Sequence, residues 1–249
     1  MSRFVTMLAD VEITRAKDVK KHGEHDQSSH GAWATGGGDS TSEGSNNKGV
    51  GYQETDKHPQ YNFNSIEGVD VEYYTSEGAW KVNELLRTNK TDEDRDELRG
   101  IIKSLDKEIK KTSAPRDMTL YRGISGVSQF ENLREGDTFV DKAFVSTSSD
   151  VGVVWDFMST ATGGQFDSRP VEKGYVLEIS VPKGNQVLSV SNYFNNVGEK
   201  YGPSDSIRAE KEHILPRGTK FRVDSIGTID VRGGIKDKLI KVSVVKDEK

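Results

Sequence analysis

Arg208-Ala209-Glu210-Lys211-Glu212-His213-Ile214-Leu215-Pro216-Arg217-Gly218-Thr219-Lys220-Phe221-Arg222-Val223 is the stretch on which the reading of this chain turns. Its two glutamates stand two residues apart, where a strand is expected to begin. Strand side chains alternate, so Glu210 and Glu212 are expected on one side and Lys211 on the other. Leu215-Pro216-Arg217-Gly218 reads as a type I turn, with proline second and glycine fourth. Lys220-Phe221-Arg222-Val223 then alternates polar and apolar, as the returning strand of a hairpin would. Carboxylates held this close repel, a cost that a fold tolerates where a site uses both. Alone, Glu-x-Glu is a weak signal, because two solvated acids on a surface strand have the same spelling.

Working back from that stretch, short strands recur. Met118-Thr119-Leu120-Tyr121-Arg122 alternates and ends at Gly123, and Phe139-Val140 and Ala143-Phe144-Val145-Ser146-Thr147 follow. A short helix is expected behind Ser149 or Asp150, with Val151, Val154, Trp155 and Met158 at helical spacing. A glycine-rich polar loop from Thr160 to Arg169 leads to the strand Tyr175-Val176-Leu177-Glu178-Ile179-Ser180-Val181. Val187 to Val190 suits a shorter strand, Asn195 to Ser206 a polar loop, and Leu239 to Val245 a last strand. Upstream of Met118 the period is helical. Ser76 to Arg87 reads as a helix capped by Ser76, with Ala79, Val82, Leu85 and Leu86 on one face. Thr91 to Lys111 reads as a second, with Thr91 and Asp94 as a capping box and Leu98, Ile101, Ile102, Leu105 and Ile109 as its stripe. Helices first and strands later argue an α+β fold with antiparallel or mixed sheets.

Residues 1–60 read as a largely disordered segment, because apolar residues are sparse and Gly36 to Asn47 has the composition of a flexible linker. The folded domain is expected over residues 61–249. The island Lys21 to Ala34 holds three histidines and two acids, yet its glycines and serines give no frame for a metal, and no metal is expected. With 249 residues there is enough chain to bury a core. The net charge of −5 supplies no general field for nucleic acid. The chain has no cysteine, which excludes disulfides, zinc–thiolate sites and a cysteine nucleophile. No stretch reads as a secretion signal or a membrane span.

Three features line up along the chain: Arg122 at one strand end, Ser146-Thr147-Ser148 at another and Glu210-Lys211-Glu212 at a third. Leu120-Tyr121-Arg122-Gly123, Phe144-Val145-Ser146-Thr147-Ser148 and the stretch from Glu210 to Phe221 together resemble the arginine-serine-glutamate class of ADP-ribosyltransferases. That class includes the enzymatic components of bacterial binary toxins and related phage-encoded enzymes. The resemblance covers roughly residues 70 to 245. It implies N-terminal helices followed by two packed antiparallel or mixed β-sheets around an NAD cleft. It implies NAD as co-substrate, no metal, and transfer of ADP-ribose to arginine side chains of a target protein.

The residue types suit that chemistry. An arginine fork matches phosphate oxygens, and Gly123 lets backbone approach a ligand. Loss of nicotinamide passes through an oxocarbenium-like state that a fixed carboxylate stabilises. By the resemblance that carboxylate is Glu212, oriented by Ser146, while Thr147 and Ser148 support the strand edge and the nicotinamide pocket. Glu210 would position the acceptor guanidinium and take its proton, and in this family glutamate at that position goes with arginine acceptors. Phe166 and Arg169 are candidates for the nicotinamide and phosphate contacts, with Phe157 a rival for the aromatic, and Ile207 stands where the family often exposes an aromatic. The His-Asp-Gln-Ser-x-His-Gly segment within residues 21–34 resembles one common in phage head-associated proteins. It implies a phage-encoded effector acting in the host cytoplasm or carried in the particle. Two other readings stay open: an NAD glycohydrolase or self-modifying enzyme, and a non-catalytic phage head component.

Overall fold

The computed structural model describes residues 5–6, 11–16, 66–125, 128–154, 174–195, 210–232 and 235–245. Helix α1 (Ile66–Tyr73) runs through a π-helical turn (Tyr74–Gly78) into α2 (Ala79–Thr88), and α3 (Arg95–Lys110) follows. Ser76 therefore lies inside a helical run and does not cap one. Its hydroxyl donates to the Glu72 carbonyl at 2.8 Å, the back-bonding open to a mid-helix serine. Gly78 makes the turn possible, since a Cβ there would collide with the Tyr73 ring. The cap of α3 is Asp94, whose Oδ1 accepts from Asp96 and Glu97 amides at 2.8 and 3.2 Å. Thr91 instead accepts the Glu93 amide in the preceding bend. The expected stripe of α3 is buried against Val71, Val82, Phe144 and Ile214.

Among the described residues ten strands follow or flank these helices: β1 (Val5–Thr6), β2 (Glu12–Thr14), β3 (Met118–Ser125), β4 (Thr138–Asp141), β5 (Val145–Ser148), β6 (Gly174–Val181), β7 (Leu188–Ser189), β8 (Glu212–Leu215), β9 (Thr219–Arg232) and β10 (Ile235–Val244). Val190, expected to continue β7, instead opens a short helix, α4 (Val190–Asn195). The strands pair in the order β2-β4-β9-β10-β6-β3-β5-β8-β7, with β1 against β3. β10 runs parallel to β6, and β1 runs parallel to β3. Helices followed by a mixed sheet are as expected, and among the described residues the two portions of the sheet join in one hydrogen-bonded path that narrows to a single pair, Tyr121 opposite Ser148, between β3 and β5. Side chains from both portions share one apolar core: Leu120, Ile179 and Phe221 from one, Val145 and Leu215 from the other.

The expected hairpin around Pro216 does not form. β8 pairs with β5 and β7, whereas β9 pairs with β4 and β10. Two chain segments cross together between the portions of the sheet: β4 passes into β5 as β8 passes into β9. The Gly218 amide donates to the Asp141 carbonyl at 2.8 Å and ties the two corners. Gly218 has φ 77°, so glycine suits this corner as it would a turn. Arg87 of α2 braces the same place, its Nη2 lying 3.0 Å from Asp141 Oδ2 in a buried ion pair.

The sheet unit also takes in chain from before residue 61. β2 pairs with the edge of β4. Asp137 accepts from the Ala16 amide at 2.8 Å and from Arg15 Nη1 at 2.7 Å. Burial alone would raise the Asp137 carboxyl, but bonds from Ala16, Arg134 and Arg15 hold it below the usual range. The island 21–34, the linker 36–47, Phe157, Phe166, Arg169 and Ile207 lie outside the described residues. Among the described residues no helix is long and apolar enough to cross a membrane.

Candidate active site

The sheet order brings the three motifs onto neighbouring strands. Arg122 is on β3, Ser146 to Ser148 form β5 with Val145, and Glu212 opens β8. Tyr121 stands opposite Ser148, and Ser148 stands opposite Glu212. Arg122 is 1% exposed and Ser146, Thr147, Ser148 and Glu212 are fully buried, so Arg122 is an interior group and not an ordinary surface arginine. Arg122 Nη1 donates to the Ser146 carbonyl at 3.1 Å, which fixes the guanidinium against the backbone of β5. Burial pushes its pKa down. The Asp141 carboxylate opposes that shift, Arg87 adds to it, and Tyr74 and Glu212 oppose it.

The hydroxyls of the Ser-Thr-Ser run reach three places. Ser146 Oγ is hydrogen bonded to the Tyr74 phenol at 3.2 Å. Thr147 Oγ1 donates to the His213 carbonyl at 2.7 Å, and Ser148 Oγ donates to the Glu210 carbonyl at 2.7 Å. Thr147 and Ser148 thus hold the backbone around Glu212. Gly123 is paired to Val176 on β6 and to Val5 on β1, which places it in the interior of the sheet. Asp150 provides the start of the helix after β5, its Oδ1 accepting the Gly152 amide at 2.9 Å.

Glu210 and Glu212 do not stand on one strand face. β8 begins at Glu212, and Glu210 and Lys211 form a turn in which Lys211 has φ 47°. A left-handed residue reverses the chain, so alternation does not relate the two carboxylates. Glu212 is fully buried, and Glu210 is half-buried.

Two site residues escaped the sequence reading, Tyr74 and Asn83. Asn83 Nδ2 donates to the Tyr74 oxygen at 3.1 Å, and Asn83 Oδ1 accepts the Phe144 amide at 3.2 Å. Asn83 lies on the α2 face that carries Ala79, Val82 and Leu86, and an amide on a buried stripe was the available signal. Tyr74 carried none, because the π-helical turn that aims it has no sequence period of its own. Burial first, and the Glu212 charge as well, push the Tyr74 phenol up to about 12 against the bonds from Ser146 and Asn83 and the Arg122 charge.

Tyr74→Phe keeps the ring against Phe144 and removes the oxygen. The loss leaves Ser146 and Asn83 short of a partner, which costs about 1–3 kcal/mol of stability. The expected kinetic result is a drop in turnover of about tenfold, the equivalent of 1.4 kcal/mol. Denaturation curves and steady-state kinetics check both. In wild type the folded phenol keeps its proton above pH 10, where an unfolded tyrosine loses it, so the unfolded state binds fewer protons and stability falls as pH rises from 10 towards about 12. Tyr74→Phe is expected to lose less stability over that window.

Comparisons with known proteins identify the family and the fold. Residues 51–247 match a family model described as ADP-ribosyltransferase exoenzyme. The NAD(+)–arginine ADP-ribosyltransferase EFV of Enterococcus faecalis is 29% identical over 157 residues, which are 63% of this chain and 28% of that protein. The chain therefore spans little more than a quarter of the length of that curated relative. Among solved structures, Plx2a, an ADP-ribosyltransferase toxin of Paenibacillus larvae, matches at TM-score 0.50 with 23% identity over 72% of this chain and 86% of that one. The Vis toxin of Vibrio splendidus matches at 0.51 with 21% identity over 74% and 75%. A complex of Vis with agmatine matches at 0.52 with 23% identity over 76% and 78%. These likenesses show the fold.

Proposed function

The chain belongs to the ADP-ribosyltransferase exoenzyme family, and from that premise we propose that it transfers ADP-ribose from NAD to arginine side chains of a target protein and releases nicotinamide. One observation carries the reading: Glu212 is fully buried beside Ser148 on the strand next to Ser146, whose carbonyl holds Arg122. A carboxylate kept out of water costs energy that an ordinary surface acid would not incur, and a site that stabilises a cation accounts for it.

In this reading Glu212 stabilises the positive charge that develops on the ribose as its bond to nicotinamide breaks. Tyr74 fixes the Ser146 hydroxyl, and Arg122, held by the Ser146 carbonyl, is the phosphate contact on the resemblance. Glu210 receives the proton that the acceptor guanidinium gives up as its nitrogen bonds to the ribose carbon. A guanidinium is a poor nucleophile while it keeps that proton, so the base decides the acceptor. The curated relative's name carries the arginine acceptor, and agmatine, present in a Vis complex, is a small guanidine of the same chemistry. Phe166 and Arg169 belong to the same proposal as nicotinamide and phosphate contacts, on the resemblance alone. So does docking of residues 21–34 on a phage particle, which co-purification of the full chain with particles would test.

Glu210→Gln tests the division of labour. Transfer to arginine is expected to fall by at least about a hundredfold, the scale of a general base. Nicotinamide release to water is expected to persist at a reduced rate. Loss of both in equal measure would remove Glu210 from the proton transfer.

A further inference from the structure

Lys211 lies between the two glutamates. Lys211 and Asn89 are the two described residues other than glycine with left-handed backbone. Asn89 has an ordinary reason, as the C-cap of α2. A lysine in that conformation is held at a cost, so something must hold it. Four contacts do. The Lys211 carbonyl accepts the Ser149 amide at 3.2 Å and faces His213 Nδ1 at 2.9 Å, which donates when protonated at that nitrogen. The Glu210 carbonyl accepts Ser148 Oγ. Lys211 Nζ lies 2.9 Å from Asp150 Oδ2. Asp150 is itself fixed, because its other oxygen caps the next helix through the Gly152 amide.

We propose that Lys211, anchored through Nζ to Asp150, is a positioning residue that sets where the Glu210 carboxylate stands, and thereby the partition of ADP-ribose between an arginine acceptor and water. The inference rests on the function proposed above. Its physical core is that the φ of Lys211 decides the direction of Glu210 relative to Glu212. In transfer, the ribose–nicotinamide bond breaks with its electron pair leaving on nicotinamide. The guanidine nitrogen bonds to the ribose carbon, and its proton passes to Glu210. In hydrolysis a water oxygen forms that bond and its proton passes to solvent, a route that needs Glu212 but not a correctly aimed Glu210. The ion pair is exposed, 54% at Lys211 and 39% at Asp150, and so contributes little to folding stability. A purely structural role would therefore move neither activity by much.

The test uses the full chain with NAD and two acceptors, agmatine and an arginine-rich protein. Nicotinamide release is measured alongside ADP-ribosylated acceptor. In Lys211→Ala and in Asp150→Asn, which keeps a capping oxygen, the ratio of transfer to hydrolysis is expected to fall about tenfold at an unchanged melting temperature, the scale of a modest misplacement of a catalytic group. Lys211→Arg keeps a cation within reach of Asp150 and is expected to retain the wild-type ratio. A wild type that transfers, with variants at the wild-type ratio or losing both activities in proportion, would overturn the inference alone. A wild type that modifies neither acceptor would overturn the arginine-acceptor reading and this inference with it.

Discussion

Glu212→Gln is expected to lower nicotinamide release and arginine transfer together by about 100- to 1000-fold, the cost of removing one preorganised electrostatic group. Glutamine keeps the shape and loses the charge. The side chain is fully buried on β8, and its neighbours Tyr74 and Arg122 both respond to its charge. The fold is expected to survive, because the amide relieves a buried charge while Ser148 and Thr147 still hold the backbone on either side. The checks are single-turnover nicotinamide release and a melting curve. Retention of most activity in a folded variant would remove Glu212 from the chemistry.

Arg122→Met is expected to cost stability as well as activity. It removes the bond to the Ser146 carbonyl, and with it the cation that Glu212 and Asp141 act on through space. Replacing a buried charge by an apolar group can stabilise when its partners go too, but here Arg122 leaves and the buried Glu212 stays, while Asp141 keeps its ion pair with Arg87. The larger effect is the uncompensated charge, about 3–5 kcal/mol. At about 2–4 °C per kcal/mol for a domain of this size, the melting temperature is expected to fall by roughly 6–20 °C. Combining Arg122→Met with Glu212→Gln is expected to recover part of that loss, since the stranded carboxylate is gone. A single variant that melts like wild type would mean that the guanidinium does not brace the junction of β3 and β5.

How much of this was legible in the sequence follows from which interactions are local. The α3 stripe from Leu98 to Ile109 and the core of β6 repeat a period, and periods are written in the chain. The motif order Arg122, Ser146, Glu212 was legible as a resemblance, and the sheet places those residues on β3, β5 and β8. The hairpin expected at Pro216 was not, because the same turn residues serve a corner where each strand finds a different partner. The length of β9 was hidden as well. Ser225, Gly227 and Thr228 break its alternation, while its pairing with β10 continues to Arg232. The same-face reading of Glu210 and Glu212 failed on one dihedral angle at Lys211, which no propensity of lysine foretells. Tyr74 entered the site through a π-helical turn and Asn83 through the buried face of α2, and both meet Phe144.

Mass spectrometry of an arginine-rich acceptor, incubated with NAD and either wild type or Glu212→Gln, is the most direct measurement. ADP-ribose mapped to arginine with wild type, and absent with the variant, is the expected result. Nicotinamide released with no mass added to the acceptor or to the enzyme would contradict arginine transfer and make the protein an NAD glycohydrolase.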